Sequence, residues 1–152
     1  MTVTRADIVA EAREWLGTRW QHQQAVKGLA TDCLGLVRGV GVNTGLLPAN
    51  FMQLPEVQEF LGYGTAPDGR IQRGLALFLQ RIPVAEMQPG DVPLMRFEQE
   101  PQHVGIVCDR PGGLGIIHAH TRARGRCVVE HDLDATWRAR IVAAYAWPGV
   151  AA

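Results

Sequence analysis

Lysine is nearly absent from this chain: Lys27 stands alone, and arginine supplies the other 14 of its 15 basic residues. The 15 acidic residues cancel them, so no net charge draws the chain to a nucleic acid or a membrane surface, and neither is expected as a partner. Cysteine is scarce as well. Cys33, Cys108 and Cys127 are odd in number and widely spaced, with no CxxC pair. That pattern excludes a disulfide framework and gives no support to a zinc site, so neither a metal nor a cofactor is expected. No apolar run is long enough to span a bilayer, and MTVTRADIVAEAREW lacks the uninterrupted apolar core of a secretory signal. The expectation is a chain made in the cytoplasm without a signal peptide. No repeat, low-complexity tract or linker divides it, so residues 1–152 are read as one domain, able to bury ~70% of its unfolded surface.

What is present is organised around TDCLGLV, residues 31–37. Thr31 and Asp32 are helix-capping types, which places Cys33 in the first turn of a helix. There the unpaired N–H groups and the positive end of the helix dipole favour an anion, and a thiol can fall to about 3.5 to 7.5. Leu34, Val37 and Val40 recur at helical spacing, and Gly35 leaves room for a neighbouring strand. Buried inert packing is the competing reading of such a cysteine.

Upstream, residues 4–16 read as an amphipathic helix. Thr4 and Asp7 form a capping box, Ile8, Val9, Ala12, Trp15 and Leu16 make one apolar face, and Gly17 is the stop. The connection to Cys33 is rich in hydrogen-bonding groups, including Trp20, His22, Gln23 and Gln24, placed to fold back over the cysteine. The cysteine helix is expected to run to Thr44 and stop at Gly45. Residues 46–69 carry Pro48, Pro55 and Pro67 and read as a surface excursion with a short helix near 56–61, suited to a lid or a docking surface. Residues 68–81 are helical, with Ile71, Leu75, Phe78 and Leu79 inward, and Pro83 ends them.

After the turn Pro89-Gly90-Asp91 the pattern alternates, with strands expected at 92–97, 103–108, 115–120, 127–130 and 140–147 and a helical turn at 133–138. Helices first and strands second indicate an α+β fold, N-terminal helices packed on a mostly antiparallel sheet of about five strands. DRPGGLG reads as a hairpin connection; folded about Arg110 and Pro111, it sets His103 opposite His118. One imidazole could then take the Cys33 proton while the other orients it. His120 shares the face of His118 and competes for that second role, while His22 and His131 stand as further histidines without an assigned part.

TDCLGLV, then HVGIV, then IIHAH resembles the NlpC family of papain-like bacterial cell-wall cysteine peptidases, whose pattern is DCSG, HVGI and a third polar residue in a segment like FIHA. QPGDV before the first strand and TWRAR before the last also fit. The resemblance implies Cys33 as nucleophile, His103 as general base and His118 as third member, with His120 a neighbour. It is closer still to members found with phage tails and gene transfer agents. Their Y-x-H-Q segment is matched by Trp20, His22 and Gln23, and their later tyrosine and PDG turn by Tyr63 and Pro67-Asp68-Gly69.

Two departures stand out. Trp20 replaces the tyrosine that helps to bind the oxyanion, so the hole would rely on the Cys33 N–H with Gln23 or His22; such a donor is worth about 3 to 4 kcal/mol. Leu34 replaces a small residue. Asp32 and His120 border the same region, and Arg122, Arg124 and Arg126 alternate beyond His118, either solvated or able to hold the carboxylates of a peptide stem.

The resemblance thus implies a cysteine endopeptidase of peptidoglycan stem peptides, most often at the D-glutamyl-diaminopimelate bond. Its expected setting is a phage-like tail particle acting at the cell wall, with tail proteins as delivery partners. A structural tail-tip subunit with a residual site, and a wall amidase using the same three residues, are the alternatives.

Overall fold

The Thr4–Asp7 capping box forms as the sequence predicts. Thr4 Oγ1 accepts from the Asp7 N–H at 3.1 Å and Asp7 Oδ2 accepts from the Thr4 N–H at 2.8 Å, opening α1 (Arg5–Arg13). In this computed structural model, residues 2–59, 69–97, 103–121 and 125–151 are described. α1 is shorter than its apolar pattern. After Arg13 the chain tightens into a turn in which Trp15 goes inward, its indole N–H donating to Glu11 Oε1 at 3.1 Å, while Leu16, expected on the apolar face, is 43% exposed.

The connection that follows, read as a loop, holds a small hairpin of β1 (Ala25–Val26) and β2 (Ala30–Thr31). It leads into α2 (Cys33–Thr44), which ends at Gly45 in the left-handed region at φ +83°, as expected. Within the excursion, α3 (Pro55–Gln58) is the expected short helix; Tyr63, Pro67 and Asp68 lie outside the described residues. α4 (Arg70–Phe78) ends earlier than its pattern, because β3 (Gln80–Ile82) is captured by pairing with the last strand.

The strands are β4 (Val92–Met95), β5 (His103–Val104), β6 (Ile106–Arg110), β7 (Gly113–Ala119) and β8 (Val128–Asp132), then the helical turn α5 (Ala135–Arg138) and β9 (Ile141–Ala146). All pairs are antiparallel and form two larger sheets, β3-β9-β4-β5 and β6-β7-β8. The strand expected at 103–108 is therefore two strands. Before Gly105 the chain pairs with β4, His103 opposite Met95, and after it the chain crosses to pair with β7.

α1 with the turn after it, α2 and α4 bury Ile8, Trp15, Leu36, Val40, Ile71 and Leu75 against one side of this framework, meeting Val104, Ile106 and Ile117. Met95, Val107, Ile116 and Leu133 form a smaller cluster on the other side. The Pro89-Gly90-Asp91 turn is fixed by Arg5, which donates to Pro89 O at 3.0 Å and pairs with the buried Asp91 at 2.7 Å. No helix among the described residues is long and apolar enough to cross a membrane.

Candidate active site at the start of the cysteine helix

Asp32 builds the site's floor. As N-cap of α2 its Oδ1 accepts from the Gly35 N–H at 2.7 Å, while Oδ2 accepts from the Gln23 N–H at 2.7 Å and its own N–H donates to Gln24 O at 3.1 Å. One buried carboxylate thus caps the helix and staples the loop of Trp20, His22 and Gln23 to it. Gln23 is held at φ +61°, a conformation that side chains seldom adopt, and His22 Nδ1 lies 3.8 Å from Asp32 Oδ2. Trp20 stacks on His22 at 6.5 Å and carries the Arg126 guanidinium 5.7 Å from its ring centroid. Gly35 makes room for the Gln24 carbonyl of this loop rather than for a strand, since a Cβ there would overlap that oxygen. Gly35→Ala is expected to destabilise the chain by about 1 to 3 kcal/mol, because backbone must move. Urea unfolding checks this, and an unchanged midpoint would show that the loop does not need the space Gly35 leaves.

Cys33 opens α2, half-buried, and α2 packs against β5 and β7. Burial, and after it the charge of the Asp32 carboxylate, push the Cys33 thiol up to about 12, against the Val104, Leu34 and Cys33 backbone N–H groups that favour its anion. This corrects the acidified thiol expected from the helix start: desolvation outweighs the helix terminus. The thiol rests protonated and needs a base. Its contact with the Val104 amide sets it beside the residue that follows His103.

His103 and His118 meet, His103 Nε2 lying 2.7 Å from His118 Nδ1, but not through the expected pairing. The hairpin turns on Pro111 and Gly112, pairing Arg110 with Gly113 and Ile106 with Ile117, two residues off the register that set His103 opposite His118. The same register carries Gly105 to His118, where a Cβ would sit 2.9 Å from the His118 Cβ. His103, two residues earlier, reaches His118 diagonally across that gap.

Burial, then the charges of His120 and Arg140, lowers His103 to about 3; burial, then the neighbouring imidazoles of His103, His131 and His120, holds His118 far below the ordinary histidine range. Both are neutral at pH 7.

Sequence reasoning missed His131. β8 extends to Asp132, past the expected end, and His131 Nε2 lies 2.9 Å from His118 Nε2. The signal was available in the alternation: Val129 sits opposite His118, so His131 shares its face. His120 stacks on His118 at 5.1 Å and on Phe97 at 5.8 Å. Trp137 stands edge-on to His118 at 4.9 Å and tilted on His131 at 4.9 Å, with the Arg140 guanidinium 4.5 Å from its ring centroid. Ligating atoms of His103, His118 and His120 fall within 4.8 Å of one another, close enough to converge on one transition-metal ion. As they stand, His103 and His118 are hydrogen-bonded to each other, and Arg140 adds like charge. Arg122 and Arg124 lie outside the described residues.

Leu34 lines an apolar pocket with Val37, Phe51, Leu75 and Phe78, and neither Cys33 nor a histidine lines it.

No family model matches the sequence, and no curated protein does. Among solved structures, the chain is similar to the NlpC/p60 domain of the peptidoglycan hydrolase SagA at 21% identity and TM-score 0.58, over 95% of this chain and 99% of that one. It is also similar to an NlpC/P60 family protein from Bacillus cereus at 16% identity and TM-score 0.66, over 97% of this chain and 41% of that one. A lipoprotein-like NLP/P60 protein from Staphylococcus aureus matches at 19% identity and TM-score 0.63, over 97% and 42%. The chain spans less than half the length of these last two. The fold is therefore the papain-like α+β fold of NlpC/p60 domains.

Proposed function

We propose, on the premise of this NlpC/p60-type fold, that the chain is a cysteine hydrolase of peptidoglycan stem peptides, with Cys33 as nucleophile, His103 as base and His118 as the residue that orients it. The observation that carries the reading is the neutral, hydrogen-bonded pair His103–His118, on two strands packed against the helix that a protonated Cys33 opens. Cys33 Sγ attacks the amide carbonyl as His103 takes the thiol proton. The C–N bond breaks as that proton passes to the leaving amine, and water then attacks the thioester with His103 again as base, releasing acid and thiol. The Cys33 N–H, at the start of α2, supports the oxyanion, with Gln23 or His22 on the stapled loop as the second donor.

The bond is the D-glutamyl-diaminopimelate link. The setting is a phage-like tail or gene transfer agent, whose tail proteins deliver the chain to the wall. The NlpC/p60 domain that this chain matches almost end to end is that of the peptidoglycan hydrolase SagA, and that supports the substrate class.

Mass spectrometry of purified wall fragments incubated with the wild-type chain and with Cys33→Ala tests this. The expected product ends in D-glutamate, carries a free diaminopimelate amine, and disappears with Cys33→Ala. Release of the whole stem from the sugar would make the enzyme an amidase. Intact fragments from both diaminopimelate- and lysine-type walls would leave a structural tail-tip role in its place.

A further inference from the structure

We infer that His131 is a positioning residue: it decides which nitrogen of His118, and through it which nitrogen of His103, carries the proton. The inference rests on the hydrolase reading above for its effect on rate, and on hydrogen-bond geometry for the rest. It begins at a backbone carbonyl. His131 Nδ1 lies 2.9 Å from Asp132 O. A carbonyl only accepts, so Nδ1 carries hydrogen, and in a neutral imidazole Nε2 is then bare. That bare Nε2 lies 2.9 Å from His118 Nε2, which must donate to it. His118 is left with its lone pair on Nδ1, 2.7 Å from His103 Nε2, which donates in turn. His103 ends with Nδ1 as its one nitrogen free to take a proton from the thiol.

The opposite polarity is costly. A proton on His118 Nδ1 would leave two bare nitrogens facing each other at the 2.9 Å link, against a His118 that is 0% exposed and has no water to turn to. Strand pairing fixes the outer link: His118 lies opposite Val129 on β8, so His131 is its diagonal neighbour within the same sheet. Trp137 closes over both rings of the outer link at 4.9 Å. When His103 takes the thiol proton, its Nε2–H bond to His118 is already made, so the charge is held without any proton moving along the relay.

Imidazole ¹⁵N NMR of the full chain, with kinetics on wall fragments, tests this. The wild-type spectrum is expected to show hydrogen on Nδ1 of His131 and on Nε2 of His118 and His103. In His131→Leu, His118 should divide between tautomers and kcat fall about 10- to 100-fold with KM little changed, as for other residues that orient an imidazole from behind. His131→Gln, whose amide oxygen accepts the same N–H, should restore most of the rate. A wild-type His118 protonated on Nδ1 would overturn the inference. So would a His131→Leu chain with unaltered tautomers and rate, or a His131→Gln chain as slow as His131→Leu. A wild-type chain that cleaves no fragment would defeat the functional reading alone, since the tautomers are read in the same spectra without turnover.

Discussion

Replacement of His103 by Gln is expected to cut turnover on stem-peptide fragments by about 10² to 10⁴, the range for losing a positioned general base. Gln keeps an amide N–H to offer the His118 Nδ1, so the buried hydrogen bond survives and the loss falls on chemistry rather than on folding. What remains is a thiol pushed up to about 12 with only hydroxide to deprotonate it. The variant's residual rate should therefore climb about tenfold per pH unit through pH 10. The wild-type rate, served by a base held neutral down to about 3, should show no inflection at the ordinary histidine value near 6.5 unless the protein itself unfolds there. Steady-state kinetics from pH 5 to pH 10 decide it. A variant within threefold of wild type would take the role of base away from His103.

Acid is expected to unfold this chain early, and the same two imidazoles are the cause. His103 and His118 both have folded values lowered below the unfolded one, chiefly by burial. Between the two values the unfolded chain binds more protons, so stability is full above about pH 6.5 and falls as pH drops below it. Each histidine contributes roughly 1 kcal/mol or a little more per pH unit, and the pair about 4 to 6 kcal/mol across the two units below pH 6.5. That is comparable to the whole stability of a small domain.

Glu130 acts in a different window. Burial raises its carboxyl, but hydrogen bonds from Arg13 and Arg110 outweigh that and hold it low, so its contribution fades only below the ordinary glutamate value. Denaturant titrations followed by tryptophan fluorescence at pH 7, 6 and 5 should show the steep histidine slope. His118→Gln removes one titrating group and should roughly halve that slope even if its stability at pH 7 is lower. A flat profile from pH 7 to pH 5, or an unaltered slope in the variant, would show that the two rings are not held neutral. With both rings held neutral, the acid limb of activity should coincide with unfolding rather than with titration of the base.

Features written in neighbouring residues were legible in the sequence. The Asp32 cap, the Cys33 helix and its Gly45 stop, and the Thr4–Asp7 box all depend on groups a few positions apart, and each stands where the residue types put it. Leu16 misled because its place on the apolar face assumed a helix that continues past Arg13. The pairing of His103 with His118 was legible as a shared face, but not as a register, because the register belongs to the Pro111–Gly112 turn and to β4, which draws His103 away from β6. The thiol's direction was misread for a similar reason. A helix terminus is a local property, whereas the burial that opposes it depends on how the rest of the fold closes around the helix start. His131 was visible as a residue and hidden as a partner, since its meaning depended on where β8 ended.

The seam at Gly105 has a mechanical consequence. His103 belongs to one large sheet and His118 and His131 to the other, so the link between the first two is the point where the sheets are gauged against each other. Hydrogen bonds weaken steeply beyond about 3.5 Å, so sliding one sheet past the other by less than about 1 Å would open that link while leaving each strand ladder intact. A body that grips the outer face of either sheet could in this way throttle the chemistry from a distance, by shear and without reaching into the cleft.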